Sequence, residues 1–503
     1  MIHLHRLRAR MAEATASACK ATSAAAEAPP GRAGPQMAAG GPAAEAVSMA
    51  AAEPELLAQP SEMDSSGISW VQKWTRWRPT SEKELLRAEQ KLFTLVKTPV
   101  RQFHVPVPPP LPLQSKLLSP SSWFRERNPT YQMRTATIDS SNPSAPTLVV
   151  THGYGAALGF YFRNFDVLGK YFKVHAVDML GWGASSRPEF TPRTTEETEA
   201  FFIDSLEEWR KAMKIDKMVL MGHSFGGYMS AQYALKYPEN IQHLILVGCA
   251  GVGHAGETLE NFKKTWKGSL SNFIWERNVT PQGFIRSIGP MGPRFVRGYT
   301  SVRFGSRAQG EPFTEEERQL FTEYMYHTIA ARGSGELALK HIFQLGAYAR
   351  QPLLDKVAEL KVPTTFIYGM QDWMDYRAGE LATKLMTVPS EVIRVPTAGH
   401  YVFMDNAPGF HAAVLTACRT FVDIDGKEKI AFAEASRKVT EEFEARQAEA
   451  AAKEQAARVA KARHNMEGGE ELDAVYDKRP ALAKFFRPYY GEVGTSKAEP
   501  AVA

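Results

Sequence analysis

Met218-Val219-Leu220-Met221-Gly222-His223-Ser224-Phe225-Gly226-Gly227-Tyr228 decides how the rest of the chain is read. An apolar run ends in G-x-S-x-G and passes at once into a small-residue segment able to form a helix. That is the sequence form of a nucleophile elbow, in which a strand hands a serine to a sharp turn before a helix. Glycines at 222 and 226 leave room where a side chain would strike neighbouring backbone. Ser224 is expected to stand above the sheet edge. The N–H groups opening the following helix, with their partial positive charge, would face whatever it attacks.

Outward from the elbow, short apolar runs alternate with helical periodicity. Residues 147–150 and 174–177 read as buried strands, ending in His152-Gly153-Tyr154-Gly155 and in Asp178-Met179-Leu180-Gly181-Trp182-Gly183. Residues 195–214 place Phe202, Leu206, Trp209 and Met213 on one helix face. Strands at 244–247, 365–369 and 392–395 follow, and a closing helix spans about 406–422. Alternation of this kind implies a mostly parallel sheet with helices on both faces. From about 251 to 355 the alternation stops, and a mainly helical insertion is expected to cap the strand ends. It carries Arg277, Arg286, Arg294, Arg297, Arg303 and Arg307, of which one or two are expected to meet an anionic substrate while the rest are solvated or pair with local acids.

The flanks differ in composition. Residues 1–60 are rich in Ala, Gly, Pro and Ser, a composition that cannot bury enough surface to fold. In the first 25 residues Arg6, Arg8, Arg10 and Lys20 stand against a lone Glu13, the flavour of an organelle transit peptide, with a plain disordered extension as the alternative. Residues 66–104 hold Trp70, Trp74 and Trp77 between Lys73, Arg76 and Arg78, then an amphipathic helix over 80–96 with a Thr or Ser cap. Tryptophan interleaved with basic residues favours a lipid surface; packing into a groove of the domain is the competing reading. Pro106 to Pro112 reads as a spacer, and the main domain is set at 130–422. Residues 425–503 read as a charged helix, solvated or partner-binding, and a disordered end.

Charge and cysteine usage exclude several classes. Sixty basic against 55 acidic residues give a net charge of +5, poor support for nucleic-acid binding. Cys19, Cys249 and Cys418 lie far apart, so neither a disulfide framework nor a zinc site is indicated. No apolar run approaches the ~20 residues that span a bilayer, so membrane contact is expected to be peripheral from a cytoplasmic location, or within a chloroplast or other organelle if residues 1–60 are a transit peptide.

A serine hydroxyl needs a base in reach, and the base needs an orienting group. Strand ends supply both, in the order Ser…Asp…His. Ser224 is the expected nucleophile and His400, in an Ala398-Gly399-His400 turn, the expected base. Asp372, three residues past Gly369, is the expected acid, with Asp375 as the alternative. Backbone N–H groups of Tyr154 and Phe225 would form the oxyanion hole. No metal or cofactor is required. His400 to Asp405 also fits H-x-x-x-x-D, the spacing that pairs a base with an aspartate in glycerolipid acyltransferases; capping of the last helix by Asp405 or Asn406 is the plainer reading.

These motifs carry a resemblance. The tryptophan segment, HGYGAALGFYFRNF (152–165), DMLGWGASSRP (178–188), IDSLEEWR (203–210), DKMVLMGHSFGGY (216–228), SGELALKHI (334–342), FIYGMQDWMD (366–375) and AGHYVFMD (398–405) resemble one α/β-hydrolase-domain subfamily. It includes an animal lipid-droplet lipase coactivator, an N-acyl-phospholipid lysophospholipase and a plant lysophosphatidate acyltransferase with phospholipase activity. The likeness runs from about 66 to 422. It implies an α/β-hydrolase fold, a phospholipid or lysophospholipid substrate, acyl-CoA as a co-substrate of any acyl transfer, and a droplet or membrane surface met through Trp70, Trp74 and Trp77. The coactivator branch has asparagine at the elbow, whereas this chain has Ser224, so it resembles the enzymatic members. A non-catalytic regulator of a lipase partner and a small-substrate esterase are the competing functions.

Overall fold

The computed structural model describes residues 79–110, 130–305 and 308–466. Trp70, Trp74, Trp77, Arg307 and the segments 1–60 and 467–503 lie outside the described residues. Helix α1 (Glu82–Leu92) opens on Ser81, whose hydroxyl accepts the Glu84 N–H. Strands β1 (Arg101–Val107), β2 (Tyr131–Ile138) and β3 (Thr147–Thr151) follow. Helix α2 (Phe165–Tyr171) leads to β4 (Lys173–Val177), and α3 (Thr195–Ala212) to β5 (Met218–His223). Helix α4 (Phe225–Lys236) leaves the elbow for β6 (Ile241–Val247).

The cap between β6 and β7 consists chiefly of α5 (Glu257–Lys264), α6 (Trp266–Glu276), α7 (Pro281–Ser287), α8 (Gly292–Arg303) and α9 (Glu315–Ala330). Local sequence explains its helix starts. Thr280 caps α7 with Pro281 in the first turn, and Thr314 and Glu317 form a reciprocal capping box on α9. The core resumes with β7 (Thr364–Gly369), α10 (Tyr376–Leu385), β8 (Ser390–Val395) and α11 (Ala407–Ala417). Helix α12 (Gly426–Met466) runs on from there.

The eight strands form one sheet in the order β1-β2-β4-β3-β5-β6-β7-β8. β1–β2 and β2–β4 are antiparallel and all other pairs parallel. Successive strand residues point to opposite faces, so Leu148 and Val150 join one core layer with Leu168 of α2 and Phe410 of α11. Val149 joins the other with Phe201 of α3 and Tyr228 of α4. A sheet buried on both faces accounts for the near-continuous apolar strands read from the sequence.

The structure corrects three readings outside the motif-bearing strands. Pro106 and Val107 do not begin a spacer but end edge strand β1, where a proline is tolerated. The main domain therefore starts before residue 130. β2 also escaped the pattern, because its centre carries Arg134, buried against Glu89 of α1 at 2.7 Å. Helix α12 is not solvated on every side. Its first half docks, with Ser436 accepting from Asn406 Nδ2 at 3.0 Å and Thr440 accepting from Thr397 at 2.9 Å.

Candidate active site

The elbow is built as its glycines require. A Cβ on Gly222 would lie 2.4 Å from the Gly226 carbonyl oxygen, and one on Gly226 would lie 2.4 Å from that of His152. Ser224 itself sits at φ 53°, ψ −114°, between the last residue of β5 and the first of α4. A non-glycine residue there costs of order 1–3 kcal/mol, which the packed surroundings must offset. The strain is borne where the hydroxyl is lifted off the sheet.

Loops after β6, β7 and β8 close around this turn. The Ser224 N–H donates to Val247 at 2.9 Å. Gly248, the next residue, has φ +48°, and a Cβ there would meet Asp372 Oδ2 at 2.8 Å and His400 Nδ1 at 3.2 Å. His400 Nδ1 donates to Asp372 Oδ1 at 2.9 Å, and the Asp372 side chain is fully buried. The proton held on Nδ1 leaves Nε2 of the neutral ring with a lone pair, the form a general base needs. Asp375 is not brought to the histidine. It is an exposed N-cap of α10 and accepts the Arg377 N–H at 3.0 Å.

Two further histidines hold the frame. His223 Nε2 donates to the His400 carbonyl at 2.9 Å, with the two rings 4.6 Å apart. Burial, reinforced by the neighbouring His400, holds the His223 pKa well below the ordinary value, so it stays neutral. His152 accepts the Met179 N–H at Nε2 and donates from Nδ1 to Gly153 at 2.8 Å. Burial lowers its pKa too. The sequence reading gave neither histidine a role, although each abuts a motif residue. Cys249 is not a rival nucleophile: burial pushes its thiol up, away from the reactive thiolate.

At the expected oxyanion turn, Phe225 heads α4 and is buried. The Tyr154 ring packs edge-on against Trp182 at 5.1 Å. Its single hydroxyl proton has two acceptors in reach, Gln282 Oε1 at 3.1 Å and the Glu336 carbonyl at 3.3 Å, both from the cap. Gln282 carries no motif signal and was missed. Asp178 secures the same region by accepting the Leu158 and Ala184 N–H groups at 2.7 and 2.8 Å.

Asp405 has a different office from the one its spacing to His400 offered. Arg303 of α8 grips it with two hydrogen bonds, at 2.9 and 2.7 Å, and both side chains are buried. Oδ2 also accepts the Gly399 N–H at 2.9 Å. Asp405 thus ties the loop carrying His400 to the cap, while His400 is engaged by Asp372. Asn406, not Asp405, caps α11. Arg286 is likewise paired with a local acid, Glu336. Of the six cap arginines named from the sequence, the local-acid reading therefore holds for Arg286 and Arg303, whereas Arg277, Arg294 and Arg297 are exposed.

Among the described residues no group of three or more His, Cys, Asp or Glu side chains has the arrangement of a metal site, and no helix is long and apolar enough to cross a membrane.

Comparison with known proteins agrees with this architecture. The family model of the alpha/beta hydrolase fold matches residues 146–407. A probable 1-acylglycerol-3-phosphate O-acyltransferase of Oryza sativa subsp. japonica is 52% identical over 379 residues, 74% of this chain and 90% of the relative. A 1-acylglycerol-3-phosphate O-acyltransferase of Arabidopsis thaliana is 54% identical over 355 residues, 70% and 84% of the two chains. A (lyso)-N-acylphosphatidylethanolamine lipase of Mus musculus is 32% identical over 315 residues, 61% and 88%. With its strand order, its strained serine between β5 and α4 and these matches, the chain belongs to the α/β-hydrolase fold family.

Proposed function

We propose that the protein is a serine-dependent acyl enzyme of glycerophospholipids and lysophospholipids, working peripherally at a membrane or lipid-droplet surface. The observation that carries this reading is the Asp372–His400 hydrogen bond set beside the strained elbow serine. Ser224 Oγ attacks the acyl carbonyl carbon as His400 Nε2 takes its proton. The oxyanion is met by the N–H groups of Phe225 and Tyr154, each worth roughly 3 kcal/mol in the transition state. His400 then returns the proton to the departing lysolipid oxygen, which leaves an acyl-serine. Buried Asp372 holds the imidazole in its Nδ1–H form and stabilises the imidazolium.

The acyl-serine has two fates. Attack by water releases a fatty acid. Attack by the hydroxyl of lysophosphatidic acid yields phosphatidic acid, and acyl-CoA can load the serine by the same steps with its thiol as leaving group. The names of the plant relatives support the second fate, and that of the mouse relative supports the first. Both run through Ser224. An acyl transfer that bypasses the serine would need Asp405 to orient His400, and that carboxylate is held by Arg303 and Gly399. The test is Ser224→Ala, expected to lower both fatty-acid release and acyl transfer by roughly 10⁵–10⁶-fold. Acyl transfer that survives in Ser224→Ala but not in His400→Ala would overturn the common intermediate.

A further inference from the structure

Soluble proteins seldom leave rows of large apolar side chains open to water. The cap does. Phe262 at the end of α5, then Trp266, Leu270, Phe273 and Ile274 on α6, recur at three- and four-residue spacing and are all exposed, Trp266 to 73%. Trp266, Leu270, Phe273 and Ile274 form one face of α6. The opposite side of α6 is anchored, since Trp275 Nε1 donates to the Phe343 carbonyl at 3.1 Å. The neighbouring helix α7 repeats the division: Phe284 is exposed, whereas Gln282 is buried and receives the Tyr154 hydroxyl at the expected oxyanion turn. Phe343 in turn packs on Phe225, next to Ser224, at 6.1 Å, so the open apolar face lies on the side of α6 away from that contact.

Charge says what this face meets. Residues 261–310 contain nine Lys or Arg and a single acid, Glu276. The segment carries +8 in a chain whose total is +5, so the remainder is −3. Arg286 and Arg303 are taken by buried acids, and Glu276 is taken by Arg350 at 2.8 Å. Lys264, Lys267, Arg277, Arg294 and Arg297 are exposed. Two of these cations lie against the apolar row itself, Lys267 5.7 Å from the Trp266 ring and Arg277 4.6 Å from that of Phe273. An apolar ridge with tryptophan and basic side chains beside it is the composition that lies in an interface with acidic head groups, the rings in the acyl boundary and the cations at the phosphates.

We propose that the outward face of α6, with the end of α5 and Phe284 of α7, docks the protein on a lipid surface carrying acidic phospholipids, and so brings the cap side of the Ser224 site to its substrate. This deepens the function proposed above and rests on it for where the substrate lies. This surface is read from residues other than those of the tryptophan segment at 70–77, which lies outside the described residues.

The test is co-sedimentation of the full chain with vesicles of phosphatidylcholine alone and of phosphatidylcholine with phosphatidic acid, in the intact protein and in a Trp70→Ala/Trp74→Ala/Trp77→Ala background. Both proteins are expected to bind acidic vesicles. Leu270→Asp/Phe273→Asp should weaken partitioning on both compositions by tenfold or more. Lys264→Glu/Lys267→Glu should cost roughly thirtyfold on acidic vesicles only, an effect erased by high salt. Variants that bind like their parent would overturn the proposal. So would a background protein that no longer binds, or light scattering that shows a dimer dissolved by Leu270→Asp/Phe273→Asp, which would assign the face to a second copy. Turnover of a soluble short-chain ester reads the Ser224 chemistry separately. Binding without ester turnover in the intact protein discards the serine mechanism and keeps the docking surface; ester turnover with vesicle binding unchanged in both variants discards the docking surface alone.

Discussion

Asp405→Asn separates two jobs that one spacing allows. The substitution keeps shape and removes charge. In the protein both carboxylate oxygens are spent, on Arg303 at 2.9 and 2.7 Å and on the Gly399 N–H at 2.9 Å. The amide retains one acceptor and turns an N–H₂ donor toward groups that are themselves donors. It also deprives a buried guanidinium of this counter-charge, for which about 3–5 kcal/mol is the usual cost. Against a typical total of 5–15 kcal/mol the loss is large but survivable, and at roughly 2 °C per kcal/mol for a chain of this size it lowers Tm by about 6–10 °C. Activity should fall less steeply. Gly399 precedes His400, so the loop loosens while the Asp372 bond is kept, and a displacement of the base by about 1 Å costs about 10²-fold. Thermal unfolding and kcat/KM on a soluble ester read the two effects. Arg303→Met/Asp405→Leu, which removes both charges together, should recover much of the lost stability. A variant with unchanged Tm whose activity drops roughly 10⁴-fold would refute the reasoning, because Asp405 would then be acting on the imidazole itself.

Three other outcomes are expected. Asp372→Asn should lower kcat roughly 10⁴-fold, whereas Asp375→Ala should keep activity and lose about 1 kcal/mol through the α10 cap, read by denaturant titration. Gly226→Ala should give little folded protein, because its Cβ would lie 2.4 Å from the His152 carbonyl oxygen and 2.9 Å from that of Thr151, measured as soluble yield and Tm. Acid should destabilise the fold through buried neutral histidines. Burial lowers His175 and His243 from 6.5 to about 4 and His411 to about 3. Between those values and 6.5 the unfolded chain binds more protons than the folded one, so stability rises with pH there. The contribution is full above pH 6.5 and is lost as pH falls toward 4, at about 2 kcal/mol per histidine by pH 5. Unfolding at pH 7 and pH 5 checks it, and a flat profile would contradict the neutral assignment.

What the sequence made legible follows from what pattern reports. β3 to β7 are buried on both faces and run into turns that contain glycine, so each shows as an apolar run with a boundary; β8, a half-buried edge strand, shows by its Val392, Ile393 and Val395. β1 and β2 do not show, since Pro106 argues against a strand unless the strand is known to be an edge, and Arg134 looks exposed until Glu89 of α1 is placed beside it. Ser224, His400 and an acid after Gly369 could be named from strand ends alone. Choosing between Asp372 and Asp375 needed the loop's own bonds, in which the Asp372 N–H donates to Gly369 at 3.1 Å and the Gln371 N–H to Ala398 at 2.9 Å. The Arg303–Asp405 pair joins residues about a hundred positions apart and has no local signature. The same holds for Gln282 on Tyr154: chemistry between cap and core is written in tertiary contact.

The central claim is that Ser224 carries the acyl group. Its most direct measurement is product identification with purified full-length protein and Ser224→Ala, each given labelled phosphatidylcholine and, separately, lysophosphatidic acid with labelled acyl-CoA. The account predicts that the intact protein releases fatty acid or forms phosphatidic acid, and that Ser224→Ala does neither above background. Undiminished product formation by Ser224→Ala, or no reaction by the intact protein on either lipid, would contradict it and leave a lipid-surface regulator as the better reading.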